Sequence, residues 1–155
     1  MQRKCENIYK MARKYAGLAR EQAAEKINVS VRSLADYETD VTKPPDDVVC
    51  KMIEAYQTPW LAYEHLLRST KVGKKYLPEI SYSDLARAVL RFQKEIRDLK
   101  AINGTMIEIA CDGVITEDEH PEWQKVTKEV GEVASAALAI LFTETKKEKA
   151  LCRAI

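Results

Sequence analysis

The spacing of apolar residues divides the chain into short helical stretches in front and two long ones behind. Over residues 3–15, Cys5, Ile8, Ala12 and Tyr15 recur at steps of three and four, as on one helical face, and Gly17 ends the run. "LAREQAAEKI" gathers Leu18, Ala23, Ala24 and Ile27 into a second short helix whose alanines permit close contact with a neighbour. Asn28 supplies the turn, because Asn tolerates left-handed backbone better than most side chains. Ser30 caps a third helix with Val31–Glu38 in its body and Leu34 and Tyr37 turned inward. "TKPPDD" interrupts the pattern, then gives proline and acids to the first turn of a fourth helix bearing Val48, Val49, Met52, Ile53 and Tyr56. Thr58 and Pro59 start a fifth, through Trp60, Leu61, Leu66 and Leu67.

Behind these stretches the pattern changes. "KVGKKYLPEISYSD" is polar, contains Gly73 and Pro78, and reads as a linker over residues 71–82. Ser81 or Ser83 caps a long helix in which Leu85, Val89, Phe92, Ile96 and Leu99 alternate in steps of four and three. That is a heptad seam, continued in register by Asn103, Met106 and Ala110. Asn103 either fixes pairing register from an inward position or, with Gly104, marks a kink where Ile102 takes the core place. A second seam runs through Val126, Val130, Val133, Ala137 and Ile140, widened by Leu138, Leu141 and Phe142. The two predict an antiparallel helical hairpin over residues 83–155. A lone hairpin leaves apolar surface bare. Leu85, Val89, Phe92, Ile96, Leu99, Val126, Val130 and Val133 are therefore the expected dimerisation residues, with packing on the front domain as the alternative.

Composition changes this picture little and charge changes it more. The 155 residues are 46% hydrophobic and 32% charged, a soluble globular make-up, and no apolar run approaches the roughly 18 residues of a membrane span. The N-terminus shows no signal-peptide pattern, so a cytoplasmic protein is expected. Residues 1–76 hold 14 Lys+Arg against 10 Asp+Glu, while residues 77–155 hold 11 against 14. A mildly basic front half suits a nucleic-acid module, and equally a solvated surface.

Five short helices in about 67 residues, with a three-residue turn between the second and third, carry a specific resemblance. Gly17-Leu18, Ala24, Val29-Ser30, Leu34, Glu38 and Lys43-Pro44 fall at the spacing of the phage-repressor-like (Xre, Cro/CI-type) helix-turn-helix family, over residues 3–68. The resemblance implies an all-α protein: a five-helix DNA-binding domain over residues 1–70, then the linker and the hairpin. It also implies that the third helix enters the major groove, placing Val31, Arg32 and Asp36 at bases and Ser33 beside the backbone, with Arg20 and Lys43 on phosphates. Arg32 can fork onto guanine, Val31 can touch a thymine methyl, and Asp36 can accept from cytosine. Glu38 sits where the family has a structural anchor. Asp40 departs from the family's usual glycine at a left-handed position. The back half resembles, more loosely, C-terminal parts of small helix-turn-helix proteins from Firmicutes and their prophages.

Other chemistry has less behind it. "DGVITEDE" imitates part of a calcium loop through Asp112, Gly113, Ile115 and Glu119, but the third ligand place would fall on Ala110, which offers no side-chain oxygen. Gly113 ending one helix and a Thr116–Glu119 capping box opening the next explains the same residues. Cys5, Cys50, Cys111 and Cys152 form no CxxC pair and read as reduced, mostly structural thiols; His65 and His120 lack a matching ligand set. No metal, no cofactor and no enzyme is expected. The reading is a DNA-binding transcriptional regulator, a repressor acting as a homodimer on palindromic double-stranded DNA, with the hairpin as a possible protein-partner surface. The competing reading is a protein-binding adaptor or phage-encoded inhibitor built on the same scaffold.

Overall fold

The computed structural model describes residues 7–143, which are helical throughout their regular elements and divide into two compact units at Leu77–Pro78. The first unit contains α1 (Ile8–Tyr15), α2 (Arg20–Lys26), α3 (Val31–Glu38), α4 (Asp46–Tyr56), α5 (Trp60–Ser69) and α6 (Lys71–Tyr76). Asn7 opens α1 by accepting from the backbone N–H groups of Tyr9 and Lys10, both at 3.0 Å. The expected start at residue 3, with Cys5 on the inner face, lies outside the described residues. Ile8, Tyr9 and Ala12 are buried, whereas Tyr15 is 63% exposed rather than inward. Tyr9 and Arg13 rotate the buried stripe of α1, leaving Tyr15 beyond its edge.

The core forms where these stripes converge. Ile27, Leu34, Met52 and Leu61 are fully buried, and each contributes about 1.5–3 kcal/mol by leaving water. Ala23 and Ala24 are buried as well, and their small side chains let α2 approach α3 closely. Asn28 takes φ +55°, the left-handed turn expected of it, and Val29 N–H closes onto Ala24 C=O at 3.0 Å. Ser30 then caps α3 by accepting from Ser33 N–H at 2.9 Å.

His65, itself buried, has partners that the sequence did not disclose. Its Nδ1 lies 2.8 Å from the Tyr9 hydroxyl, and its Nε2 lies 3.0 Å from an Asp46 carboxylate oxygen. A carboxylate only accepts, so Nε2 donates, and in the neutral imidazole Nδ1 accepts from the Tyr9 hydroxyl. Burial pushes the Tyr9 phenol up to about 12, which keeps that proton in place. The chain of bonds ties α1, α5 and the start of α4 together.

α6 occupies the first part of the expected linker. Thr70 caps it by accepting from Gly73 N–H at 2.8 Å, and buried Gly73 lets its backbone press onto α5. Residues 78–83 are held to the second unit, where the hydroxyl of buried Ser135 donates to Glu79 C=O at 2.6 Å.

The second unit contains α7 (Leu85–Ala101), α8 (Asn103–Ala110) and α9 (His120–Leu141). Asp84, not Ser81 or Ser83, caps α7 by accepting from Arg87 N–H at 3.1 Å. The long first helix breaks at Ile102, so Asn103–Gly104 opens a separate helix, the kink alternative. Ser135 lies beside Glu79, while Glu129 and Glu132 lie beside Glu95, so α9 runs antiparallel to α7. Thr116 and Glu119 do meet, with hydroxyl and backbone N–H donating to the carboxylate at 2.7 and 2.8 Å, but helix proper starts at His120. Gly113 adopts φ +76° in that connection.

The hairpin packs through a face rotated from the expected seam. Ala88, Glu95 and Ile109 are buried, together with Val126, Ser135, Ala136 and Ala139 of α9. Ala88, Ala136 and Ala139 allow close approach there, which a Leu or Val could not. Of the expected dimerisation residues, Val126 is spent inside the unit, and Phe92, Ile96, Leu99 and Val133 are half-buried. Leu85, Val89 and Val130 stay exposed, at 47%, 38% and 44%.

Candidate nucleic-acid interface

The first turn of α3 projects from the first unit. Val31 is 42% exposed and Arg32 is exposed beside it, while Leu34, across the helix from Arg32, is fully buried. Ser33 is half-buried, and its hydroxyl lies 2.8 Å from that of Ser30, inside the cap. Asp36, one turn after Arg32 and on the same face, is half-buried; its backbone carbonyl accepts from Val41 and Thr42 at 2.9 and 3.3 Å. Arg32 and Asp36 thus share one face of α3, and Val31 is exposed at its first position.

Arg20 is tied to that helix from below. As the first residue of α2 it donates from Nε to Glu38 at 3.0 Å, and its side chain is 36% exposed. Glu38 also receives Arg13, which bonds both carboxylate oxygens, one through Nη2 at 2.9 Å, while Arg13 Nη1 donates to Leu18 C=O at 2.8 Å. Burial opposes ionisation of Glu38, but the hydrogen bonds and charges of the two arginines outweigh it and hold the carboxyl below its ordinary value. Arg13 was not among the residues read from the sequence. A cation on the inner face of α1 was the available signal, since a buried carboxylate at the end of α3 needs a partner.

Asp40 resolves differently from the departure noted in the sequence. It does adopt left-handed backbone, with φ +60°. Asn7 Nδ2 donates to its carboxylate at 2.7 Å and to Tyr37 C=O at 2.8 Å, so Asn7 fastens this turn while capping α1. Lys43, placed on phosphate by resemblance, donates to Ser69 C=O at 2.8 Å and so bridges the α3–α4 loop to the end of α5. An ammonium group carries three donors, and its charge remains at the surface.

The segment from α1 to the start of α5, with α3 presented this way, matches a known architecture. The helix-turn-helix family model covers residues 10–61. A curated relative, the HTH-type transcriptional regulator ImmR of Bacillus subtilis (strain 168), is 29% identical over 86 residues, which is 56% of this chain and 65% of that protein. The chain thus spans just under two thirds of the relative's length. No solved structure matches it.

Outside the helix-turn-helix domain, the structure brings together three acids that the sequence did not single out. Glu95, Glu129 and Glu132 each place a carboxylate oxygen within 4.8 Å of the others. Lys94 and Arg91 reach Glu95 at 3.3 and 3.7 Å, and Lys128 reaches Glu132 at 3.3 Å and Glu129 at 3.8 Å, so the group is an interhelical network compensated by cations. Cys50 and Cys111 are free and exposed, not packed as structural thiols, while Cys5 and Cys152 lie outside the described residues. No helix among the described residues is long and apolar enough to cross a membrane.

Proposed function

We propose that this protein is a sequence-specific, double-stranded DNA-binding transcriptional regulator that acts as a repressor, a homodimer on a palindromic operator. The observation that carries the reading is the exposed first turn of α3, with Val31 and Arg32 outward above a buried Leu34, inside a segment of the helix-turn-helix family. In such a docking the N-terminal residues of the second helix of the motif meet base edges, and two copies read half-sites about one helical turn apart. The similarity to a relative named as a transcriptional regulator supports the same reading. Arg32 offers a guanidinium fork for guanine, and Asp36 an acceptor for cytosine.

The test is selection of the purified full chain on random double-stranded DNA at moderate salt. An enriched palindrome is expected, and Arg32→Ala should relax one base position at a cost of about 1–3 kcal/mol. Failure of a folded protein to enrich any sequence would reject the reading. One set of observations favours a protein-binding adaptor instead: Asp36 and Asp40 lie on and next to the reading helix. The adaptor would bind its partner without the steep salt dependence of counterion release.

A further inference from the structure

The positive charge of the first unit is not on its reading helix. Arg68, Lys71, Lys74 and Lys75 follow one another with no acid between Glu64 and Glu79. Residues 1–76 carry 14 cations against 10 acids, so removing these four leaves the rest of the unit balanced, ten against ten. Arg68 pairs with Glu64 at 2.6 Å, so what remains of the surplus is the three lysines of α6.

The geometry fixes where that surplus points. A Cβ on Gly73 would stand 2.1 Å from Leu66 C=O, so Gly73 faces α5 at backbone contact. At 100° per residue, Lys71 and Lys75 then fall on the opposite side of α6, a turn apart, with Lys74 at its flank. All three are exposed, and the Lys75 ammonium stands over the Tyr76 ring, 5.1 Å from its centroid. Lys43 supplies the link to the candidate interface: it reaches from the α3–α4 loop to Ser69 C=O, two residues before α6 begins.

Helix electrostatics account for only part of this pattern. Lysines at 74 and 75 complement the negative C-terminal end of α6, but Lys71 is its first residue, where the dipole disfavours a cation and where no acid stands in the first turn. The dipole of α6 therefore does not account for the cation at Lys71.

We infer that α6 is a second nucleic-acid contact, its Lys71, Lys74 and Lys75 face binding the phosphodiester backbone of duplex DNA next to the segment met by α3, independently of base sequence. The inference rests on the DNA reading above, and it divides the labour. α3, with Arg32 beside Asp36, carries selectivity at low intrinsic attraction; α6 carries the attraction. The device also explains how a reading face weakened by acids can stay on DNA.

The test is equilibrium binding of the full chain to a short mixed-sequence duplex and to the duplex enriched by selection, across a salt series. Lys71→Gln/Lys74→Gln/Lys75→Gln is compared with wild type and with the control Lys26→Gln/Lys51→Gln/Lys100→Gln, which changes net charge equally. The slope of log affinity against log salt should become shallower by about 0.9 for each phosphate that is no longer neutralised, so by about 2 or more for the α6 variant. The control should change it much less, and the selected sequence should stay the same. If wild type binds and the α6 variant keeps its slope, or the control matches it, α6 does not touch phosphate and the DNA reading stands. If wild type binds neither duplex, the DNA reading falls and α6 with it.

Discussion

Glu38 shows how one residue links stability to the reading surface. Its side chain is wholly buried yet ionised, because Arg13 grips it from α1 and Arg20 from the start of α2. Removing one partner of such a buried pair leaves an uncompensated charge, so Arg13→Ala should lose about 3–5 kcal/mol in denaturant unfolding. The linkage has a definite sign. The folded pKa of Glu38 lies below its ordinary 4.5, so its contribution is complete above that value and is lost as pH falls through the lower folded one. Wild-type stability should therefore drop on acidification below about pH 4.5. Arg13→Ala should show a smaller drop over the same range, measured by denaturant midpoints along a pH series. An equal acid response in both proteins would assign the titration to other carboxylates. Because Arg20 shares the same carboxylate, the surface cation is oriented by the group that anchors the core.

At the scale of elements, α6 depends on one missing side chain. Alanine would favour an isolated helix over glycine by about 1 kcal/mol, but at position 73 its Cβ would collide with the Leu66 carbonyl, an overpacking cost of about 1–3 kcal/mol. Gly73→Ala should thus release α6 from α5 and lower amide protection over residues 71–76 in hydrogen exchange, leaving α1–α5 protected. Unchanged protection would show that α5 yields instead. The same element marks the limit of what the sequence made legible. α2 to α5 were readable because each buries its own stripe at helical spacing, and Asn28, Ser30 and the "KPPDD" stretch punctuate them with familiar chemistry. α6 has no stripe to read: it meets α5 backbone on backbone through a glycine, which resembles a linker in one dimension. The hairpin's existence was legible but its facing was not. α7 offers an apolar seam at Leu85, Val89, Phe92 and Ile96, yet Ala88 and Glu95 go inside, where a small residue lets the helices approach and the carboxylate is paired with Lys94 and Arg91. Of the candidate interface, the exposure of Val31 and Arg32 followed from the motif. The Asn7 clamp on Asp40 joins residues 33 positions apart, which no local pattern reveals.

The two units divide the molecule's chemistry by charge: the first holds the basic surplus, and residues 77–155 hold 14 acids against 11 cations. An acidic hairpin is repelled by phosphate, so its exposed apolar residues serve something other than DNA. Inward rotation of Ala88 and Glu95 leaves Leu85, Val89 and Leu90 47%, 38% and 70% exposed along α7, with Ile96 half-buried in line with Leu85 and Val89. Leu85, Val89 and Ile96 keep the heptad spacing with which a second helix interdigitates, and a second copy of this chain supplies the same strip by symmetry. A dimer mass is accordingly expected by light scattering at micromolar concentration. Val89→Glu should convert it to monomer without altering helical content, whereas Leu99→Glu, half-buried within the hairpin, should lower helical content as well. Wild type of monomer mass would remove the dimer from the proposed function. It would leave each helix-turn-helix domain to bind a single half-site, where the phosphate attraction assigned to α6 would matter most.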